Sequence, residues 1–331
     1  MIVILGGGYA GLSALSENSN AILVDRKSYF TLTPWLIDFV CGIRNEIEVK
    51  AKYPKVIKGE VSKIDYKDKR VIVGETEIKF DKLIVSLGHH QNLPRLKGAK
   101  EFAHKIETFE DAVNLKSKIE TSKNIVIIGG GATGVEIAGN LRGKDVTLVQ
   151  RRDRLLPTMS TASSERARTL LEENGVKLLL GTEALEVKKN SVVTSNGEIK
   201  SEVTVFAGGL KGPSIVEDFG HTNKNHRMIV DKNLRSIDYR DVFGAGDCAT
   251  FSNEDIPMSA EVAISAGKIA MRNALGEENT FIPRRTATIL RVNNFFFGDF
   301  GNSYIEGDMA KIMRGLAYVQ SLVLPARGVN V

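Results

Sequence analysis

The chain has 331 residues, 42% hydrophobic and 26% charged, an ordinary globular balance that excludes a disordered or collagen-like chain and allows two or three domains with their own cores. A formal net charge of +5 and a pI near 9.0 suit an anionic cofactor, a nucleic acid or an anionic membrane surface, and no basic run is long enough to select nucleic acid. Cys41 and Cys248 are the only cysteines and lie far apart, which excludes a disulfide framework and points to a reducing compartment.

Met1 opens directly into a strand-like run, with no room for a charged leader and a cleavable apolar segment, so the chain reads as not exported. No apolar stretch approaches the length of a membrane span, which leaves a cytoplasmic protein whose membrane contact is peripheral at most. His89, His90, His104, His221 and His226 form no zinc-like pattern with the cysteines; they read as surface or loop residues, and no metal is expected.

The first element organises the rest. Ile2, Val3, Ile4 and Leu5 form a β-prone run, followed at once by Gly6-Gly7-Gly8-Tyr9-Ala10-Gly11 and helix-forming residues. In such a strand, turn and helix, Gly6 permits the tight turn, Gly8 lets backbone approach a pyrophosphate, and Gly11 lets the helix pack on the strand. A second apolar run over 21–24 ends in Asp25, at the offset of a ribose-binding acid. Pro34 and an apolar segment over 35–41 then form a short helix that ends at Gly42. Strand patterns follow over 56–57, 61–64, 70–73, 75–80 and 82–86; the last runs into Gly88, and Pro94 with Gly98 marks a crossing between domains. Residues 107–119 have helical spacing, with Phe109, Ala112, Val113, Leu115 and Ile119 near one face.

The opening then repeats. Asn124 to Ile128 lead into Gly129-Gly130-Gly131-Ala132-Thr133-Gly134, a helix over 135–141 and a strand over 146–149 that ends in Gln150-Arg151-Arg152. Because one pyrophosphate occupies one helix N-terminus, two fingers mean two dinucleotide folds. Apolar runs over 170–180, 185–187, 192–193 and 203–206 continue the second unit, which closes near Ala207-Gly208-Gly209. From Met228 the pattern returns to that of the first unit, and Gly244-Ala245-Gly246-Asp247 feeds a helix over about 258–275. The Asp247 carboxylate suits either a ribityl hydroxyl or the N-cap of that helix. The expected fold is α/β, with two Rossmann-like units: residues 1–107 and 240–282 form one, 108–239 the other, and 283–331 a C-terminal interface segment.

With these motifs together the chain resembles the flavoproteins with two dinucleotide-binding domains, the class of glutathione reductase, sulfide:quinone oxidoreductase and, most similar, type II NADH dehydrogenase. Their stretch from acidic residue to Ala-Thr-Gly runs without a gap onto Asp25, Arg26, Tyr29, Phe30, Pro34, Val40, Cys41 and Gly42. Further matches are Thr108 to Ala112, Gly129 to Glu136, Arg154 to Pro157 and Gly246 to Ala249, and the resemblance extends to about Asn273. It implies FAD on Gly6, Gly8, Ala10, Gly11, Asp25 and Arg26, with Asp247 on the ribityl chain and Pro34 near the ring. Val61, Gly88, Gly246 and Ala260 are further candidate contacts.

NADH or NADPH would lie on Gly129, Gly131, Gly134 and Gly209. Gln150 and Arg151 stand where an acid would repel a 2′-phosphate, so NADPH is expected to serve at least as well as NADH. Glu136 matches the family's acid near the nicotinamide, or is a first-turn acid favoured by the helix dipole. The implied chemistry is hydride transfer to flavin followed by electron delivery to a quinone or other acceptor, with the cofactors carrying it. A non-catalytic flavin-binding protein is the contrasting reading.

The chain departs from the pattern in places. It lacks the cysteine pair of disulfide reductases and the mid-chain cysteines of sulfide:quinone oxidoreductases; Cys41 suits either a single-cysteine oxidase or a small residue packed near the flavin. The family's quinone-side glutamines are replaced by Glu261 and Ser265, and Glu261 is either a proton relay or an exposed helix residue. Phe295-Phe296-Phe297 matches no motif. Over 308–324, Met309, Ile312, Met313, Leu316, Val319, Leu322 and Val323 form one apolar helical stripe that Pro325 should end. That stripe suits peripheral membrane docking, packing on the flavin domain or a homodimer interface.

Overall fold

Both glycine fingers grow out of the middle strand of a five-stranded parallel sheet. The structure, a computed structural model, describes residues 1–93, 96–284 and 287–327; Pro94 lies outside them. The first sheet runs Val242–Gly244, Lys82–Val85, Ile2–Leu5, Ile22–Asp25, Ile57–Lys58, with every neighbour parallel. Its central strands are near-continuous apolar runs because both faces are covered, and Val3, Ile4, Leu5, Leu83 and Ile84 are fully buried. The second sheet, Ala103–His104, Val203–Phe206, Asn124–Ile128, Asp145–Gln150, Lys177–Leu180, repeats this parallel plan.

The first finger opens helix α1 (Tyr9–Glu17). The helix expected over 35–41 divides into a 3₁₀ turn, Thr33–Trp35, carrying Pro34, and α2 (Leu36–Val40), with Gly42 at a φ of +72° past its end. Short helices α3 (Glu46–Val49) and α4 (Ala99–Phe102) precede α5 (Phe109–Thr121), which starts two residues later than the spacing predicts because Thr108 and Asp111 form a capping box. The second finger opens α6 (Ala132–Asn140), three residues earlier than expected. Helix α7 (Thr161–Glu173) falls where the sequence showed only one apolar run over 170–180; its Ser- and Arg-rich first half hides the period. Helix α8 (Ala260–Ala274) packs on α1 so closely that a Cβ on Gly267 would overlap the Ala10 carbonyl, and Ser13 Oγ donates to the Ile264 carbonyl at 2.6 Å.

Beyond α8, Phe295-Phe296-Phe297 begins the middle strand of an antiparallel sheet, Ala287–Val292, Phe295–Phe300, Ser303–Glu306, with Phe297 fully buried. Helix α9 (Gly307–Arg327) lies against this sheet and α1. It continues through Pro325, whose missing N–H removes a single main-chain bond near the helix end. The side chains of Val319, Leu322 and Val323 lie outside the described residues. Met309, Ile312 and Leu316 are 64%, 63% and 66% exposed, so this part of the stripe does not pack on the first unit; Ala310 and Arg314 face inward instead. Among the described residues no helix is long and apolar enough to cross a membrane.

Candidate functional site

The two fingers have the same construction. Gly6 and Gly129 turn at φ +95° and +117°, values that side chains rarely tolerate. A Cβ on Gly11 or Gly134 would overlap the carbonyl oxygen of Gly6 or Gly129, so helix and strand meet at these two glycines. Around Gly8 and Gly131 a Cβ would meet nothing within 4 Å, which is the open space a pyrophosphate requires at a helix N-terminus. The residue types and the open space at both cradles therefore fit two dinucleotides.

What braces each finger differs. Asp25 Oδ2 accepts from the Gly7 N–H and Oδ1 from the Lys27 N–H, both at 2.7 Å. Gln150 Oε1 does the same job on Gly130 at 3.2 Å, while its Nε2 donates to the Arg154 carbonyl. Arg151 and Arg152 beside it are exposed, and Arg151 reaches Glu183 only at 3.7 Å. Sequence reasoning missed three further braces. Ser86 Oγ donates to the Leu5 and Gly6 carbonyls at 2.9 Å, Tyr53 Oη donates to the Gly7 carbonyl at 2.9 Å, and buried Arg227 donates to the carbonyls of Asp247, Ala249 and Ile256.

A cavity of about 490 Å³ opens from the first finger. Gly6, Gly8, Ala10, Asp25, Arg26 and Pro34 line it, as do Val61, Gly88, Gly246, Asp247 and Ala260, whereas Gly11 stays behind the turn. The second unit contributes Thr133, Leu210, Pro213 and Ile215 to the same wall. Gly209 leads into this wall: Leu210 pairs with Gln91 in a two-stranded ribbon joining the units, and the Asn92 N–H donates to the Gly209 carbonyl. Gly129, Gly131, Gly134, Gln150 and Arg151 lie outside this lining, at the second cradle.

Two of the histidines that read from sequence as surface or loop residues, His89 and His90, stand in this cavity. His89 Nδ1 lies 2.7 Å from Asp247 Oδ2. Burial opposes the charge on His89, but the Asp247 carboxylate prevails and holds its pKa above the ordinary value. His90 bonds Glu107 at 3.0 Å, and Glu107, despite burial, is pulled down to about 2 by His90, Lys105 and the Gln91 N–H. The available signal was position: both histidines directly follow Gly88 at the carboxyl end of a parallel strand, the edge where α/β sheets bind ligands. Asp247 does not cap α8, because Ser259 takes that place with its Oγ accepting from Val262 N.

The remaining expected residues sit apart from the cavity. Glu136 is the fifth residue of α6, not a first-turn acid, because the helix begins at Ala132. Its buried carboxylate accepts from Arg314 Nη1 at 2.5 Å and from the Arg291 N–H at 2.9 Å. Glu261 lies in the first turn of α8, half-buried, outside the lining that Ala260 and Ala263 form. Cys41 also lies outside it, and burial together with Asp38 and Glu136 pushes its thiol far up, away from the reactive thiolate.

Residues 1–267 of the 331 match the pyridine nucleotide-disulphide oxidoreductase family. The chain belongs to that family. Within this pyridine nucleotide-disulphide oxidoreductase its two cysteines are both free. The type II NADH:quinone oxidoreductases of Staphylococcus saprophyticus and Staphylococcus aureus are 27% and 26% identical to it, with 82% of this chain and 81% of each relative covered. In fold it is similar to NDH2 from Plasmodium falciparum in complex with NADH (TM-score 0.85, 16% identity, 99% of this chain and 96% of that one). It is likewise similar to the sulfide:quinone oxidoreductase of Aquifex aeolicus (TM-score 0.84, 18% identity, 99% and 92% covered).

Proposed function

We propose that this pyridine nucleotide-disulphide oxidoreductase is an FAD-dependent NAD(P)H dehydrogenase that delivers electrons to a quinone or another acceptor. The observation that carries the reading is the single cavity where the first finger and Asp247 share a wall with Thr133, Leu210, Pro213 and Ile215 of the second unit. FAD, when bound, supplies the hydride-accepting and electron-passing chemistry. The chain holds and orients. Gly6, Gly8, Ala10 and Gly11 build the FAD cradle, Asp25 and Arg26 take the adenosine end, and Asp247, fixed by Arg227 and His89, takes the ribityl chain. Pro34, Val61, Gly88, Gly246 and Ala260 complete the walls. Gly129, Gly131, Gly134 and Gly209 form the nicotinamide-nucleotide cradle, with Gln150 and Arg151 at its ribose.

The units so assigned are residues 1–107 with 240–282, and 108–239, with 283–331 as an interface segment. Glu136, paired with Arg314 although burial raises its pKa, is a positioning residue between α6 and α9, and Glu261 is the candidate proton relay on α8. Cys41 is read as a small residue packed beside α6, since burial together with Asp38 and Glu136 disfavours the thiolate a single-cysteine oxidase would use. The exposed apolar residues of α9 favour a peripheral contact with the cytoplasmic face of a membrane.

Anaerobic mixing of the FAD-loaded chain with NADH, and separately NADPH, tests the reading. Rapid bleaching of the flavin absorbance, reversed by a soluble quinone analogue, is expected. A flavin that stays oxidised would make the chain a non-catalytic flavin binder.

A further inference from the structure

A second cavity, of about 520 Å³, shares no lining residue with the first. Its wall is built from the turn after α2, from α5, from the turn after α6 and from the hairpin at 291–293. At about 520 Å³ the second has room for a small organic molecule and not only for a single ion.

Its charge is one-sided. Lys116, Arg142, Lys144 and Arg291 line it, against the single acid Glu120, so four cations less one anion leave a formal +3. Among the described residues none of the four pairs with a carboxylate. Three are tethered to neutral groups instead. Lys144 Nζ donates to the Glu120 and Ser122 carbonyls at 3.1 and 2.7 Å, capping α5; Lys116 Nζ sits 4.5 Å over the Phe39 ring; Arg291 Nε donates to the Asn293 carbonyl at 2.7 Å. Arg142 projects from an exposed turn. Like charges on a concave wall repel one another, and neutral tethers hold them there without cancelling the charge. A wall so fixed is complementary to a multiply charged anion, which lysine and arginine bind as point charge and planar fork.

We propose that this second cavity binds a phosphate-bearing anion on Lys116, Arg142, Lys144 and Arg291, independently of both dinucleotide cradles. The anion is either a free phosphorylated metabolite or the headgroup of an anionic lipid; the chemistry is shared.

Titration of the FAD-loaded, NAD⁺-saturated chain with inorganic pyrophosphate by calorimetry tests the site. Saturable binding of one pyrophosphate per chain is expected, weakened at least tenfold in Lys116→Glu/Arg142→Glu while FAD content and NADH oxidation stay unchanged. Cosedimentation with phosphatidylglycerol against phosphatidylcholine vesicles separates the sources. Charge-dependent vesicle binding that pyrophosphate displaces assigns a lipid headgroup, and its absence assigns a free metabolite. If neither probe binds, or the double variant binds as the wild type does, the proposal is overturned.

Discussion

Two alanine substitutions three residues apart should behave in opposite ways. At Gly131 a Cβ meets nothing within 4 Å and the φ of −79° suits any residue, so Gly131→Ala should leave the free protein's stability within about 0.5 kcal/mol of wild type. At Gly134 a Cβ would come closer to the Gly129 carbonyl than the 3.0 Å that real Cβ atoms keep, and the strand and helix must part to admit it. Such overpacking costs about 1–3 kcal/mol, offset by about 1 kcal/mol of helix propensity, so Gly134→Ala should lose up to about 2 kcal/mol. The nucleotide reverses the order of interest. A methyl at Gly131 occupies the space left for the pyrophosphate, so KM for NADH should rise tenfold or more with FAD content unchanged. Urea unfolding and steady-state kinetics with ferricyanide measure both quantities. A Gly131→Ala enzyme with a KM within twofold of wild type would refute the assignment of the second cradle.

Replacement of Gln150 by Glu should lower the ratio of kcat/KM for NADPH to that for NADH by about tenfold, since a carboxylate repels the 2′-phosphate; a strong NADH preference already present in the wild type would contradict the role given to Gln150 and Arg151. Arg314→Ala takes the cation from the buried Glu136 carboxyl, leaving it only the Arg291 N–H, and should cost about 3–5 kcal/mol in urea unfolding, with Glu136→Gln/Arg314→Met much closer to wild type. His89 has a folded pKa raised above 6.5, so its pair with Asp247 adds stability below that value and loses it as pH rises through the raised pKa. The difference in Tm between wild type and His89→Gln, measured on the FAD-free chain, should therefore be present at pH 6 and shrink at alkaline pH; a difference that grows with pH would reverse the assignment. Ile312→Asp/Leu316→Asp should abolish cosedimentation with anionic liposomes while leaving the fold intact. Truncation before Asp308 is a poorer test, because it also removes Arg314 from Glu136.

The α/β class and both fingers were legible in sequence because each is a contiguous stretch whose physics is local. An apolar run, a glycine at positive φ and a helix start occupy about a dozen neighbouring residues, and no distant contact alters what they form. The early start of α6 and the division at Pro34 are boundary effects set by caps and turns. Tertiary structure alone decided what lies between distant segments. Glu136 faces Arg314 across 178 positions of sequence, and His89 faces Asp247 across 158. No periodicity records such pairs, since a buried ion pair is selected by the low-dielectric site that encloses it and not by its neighbours in the chain. The cationic second cavity was hidden for the same reason: its four charges come from three separate stretches, each of which alone reads as an ordinary solvated surface.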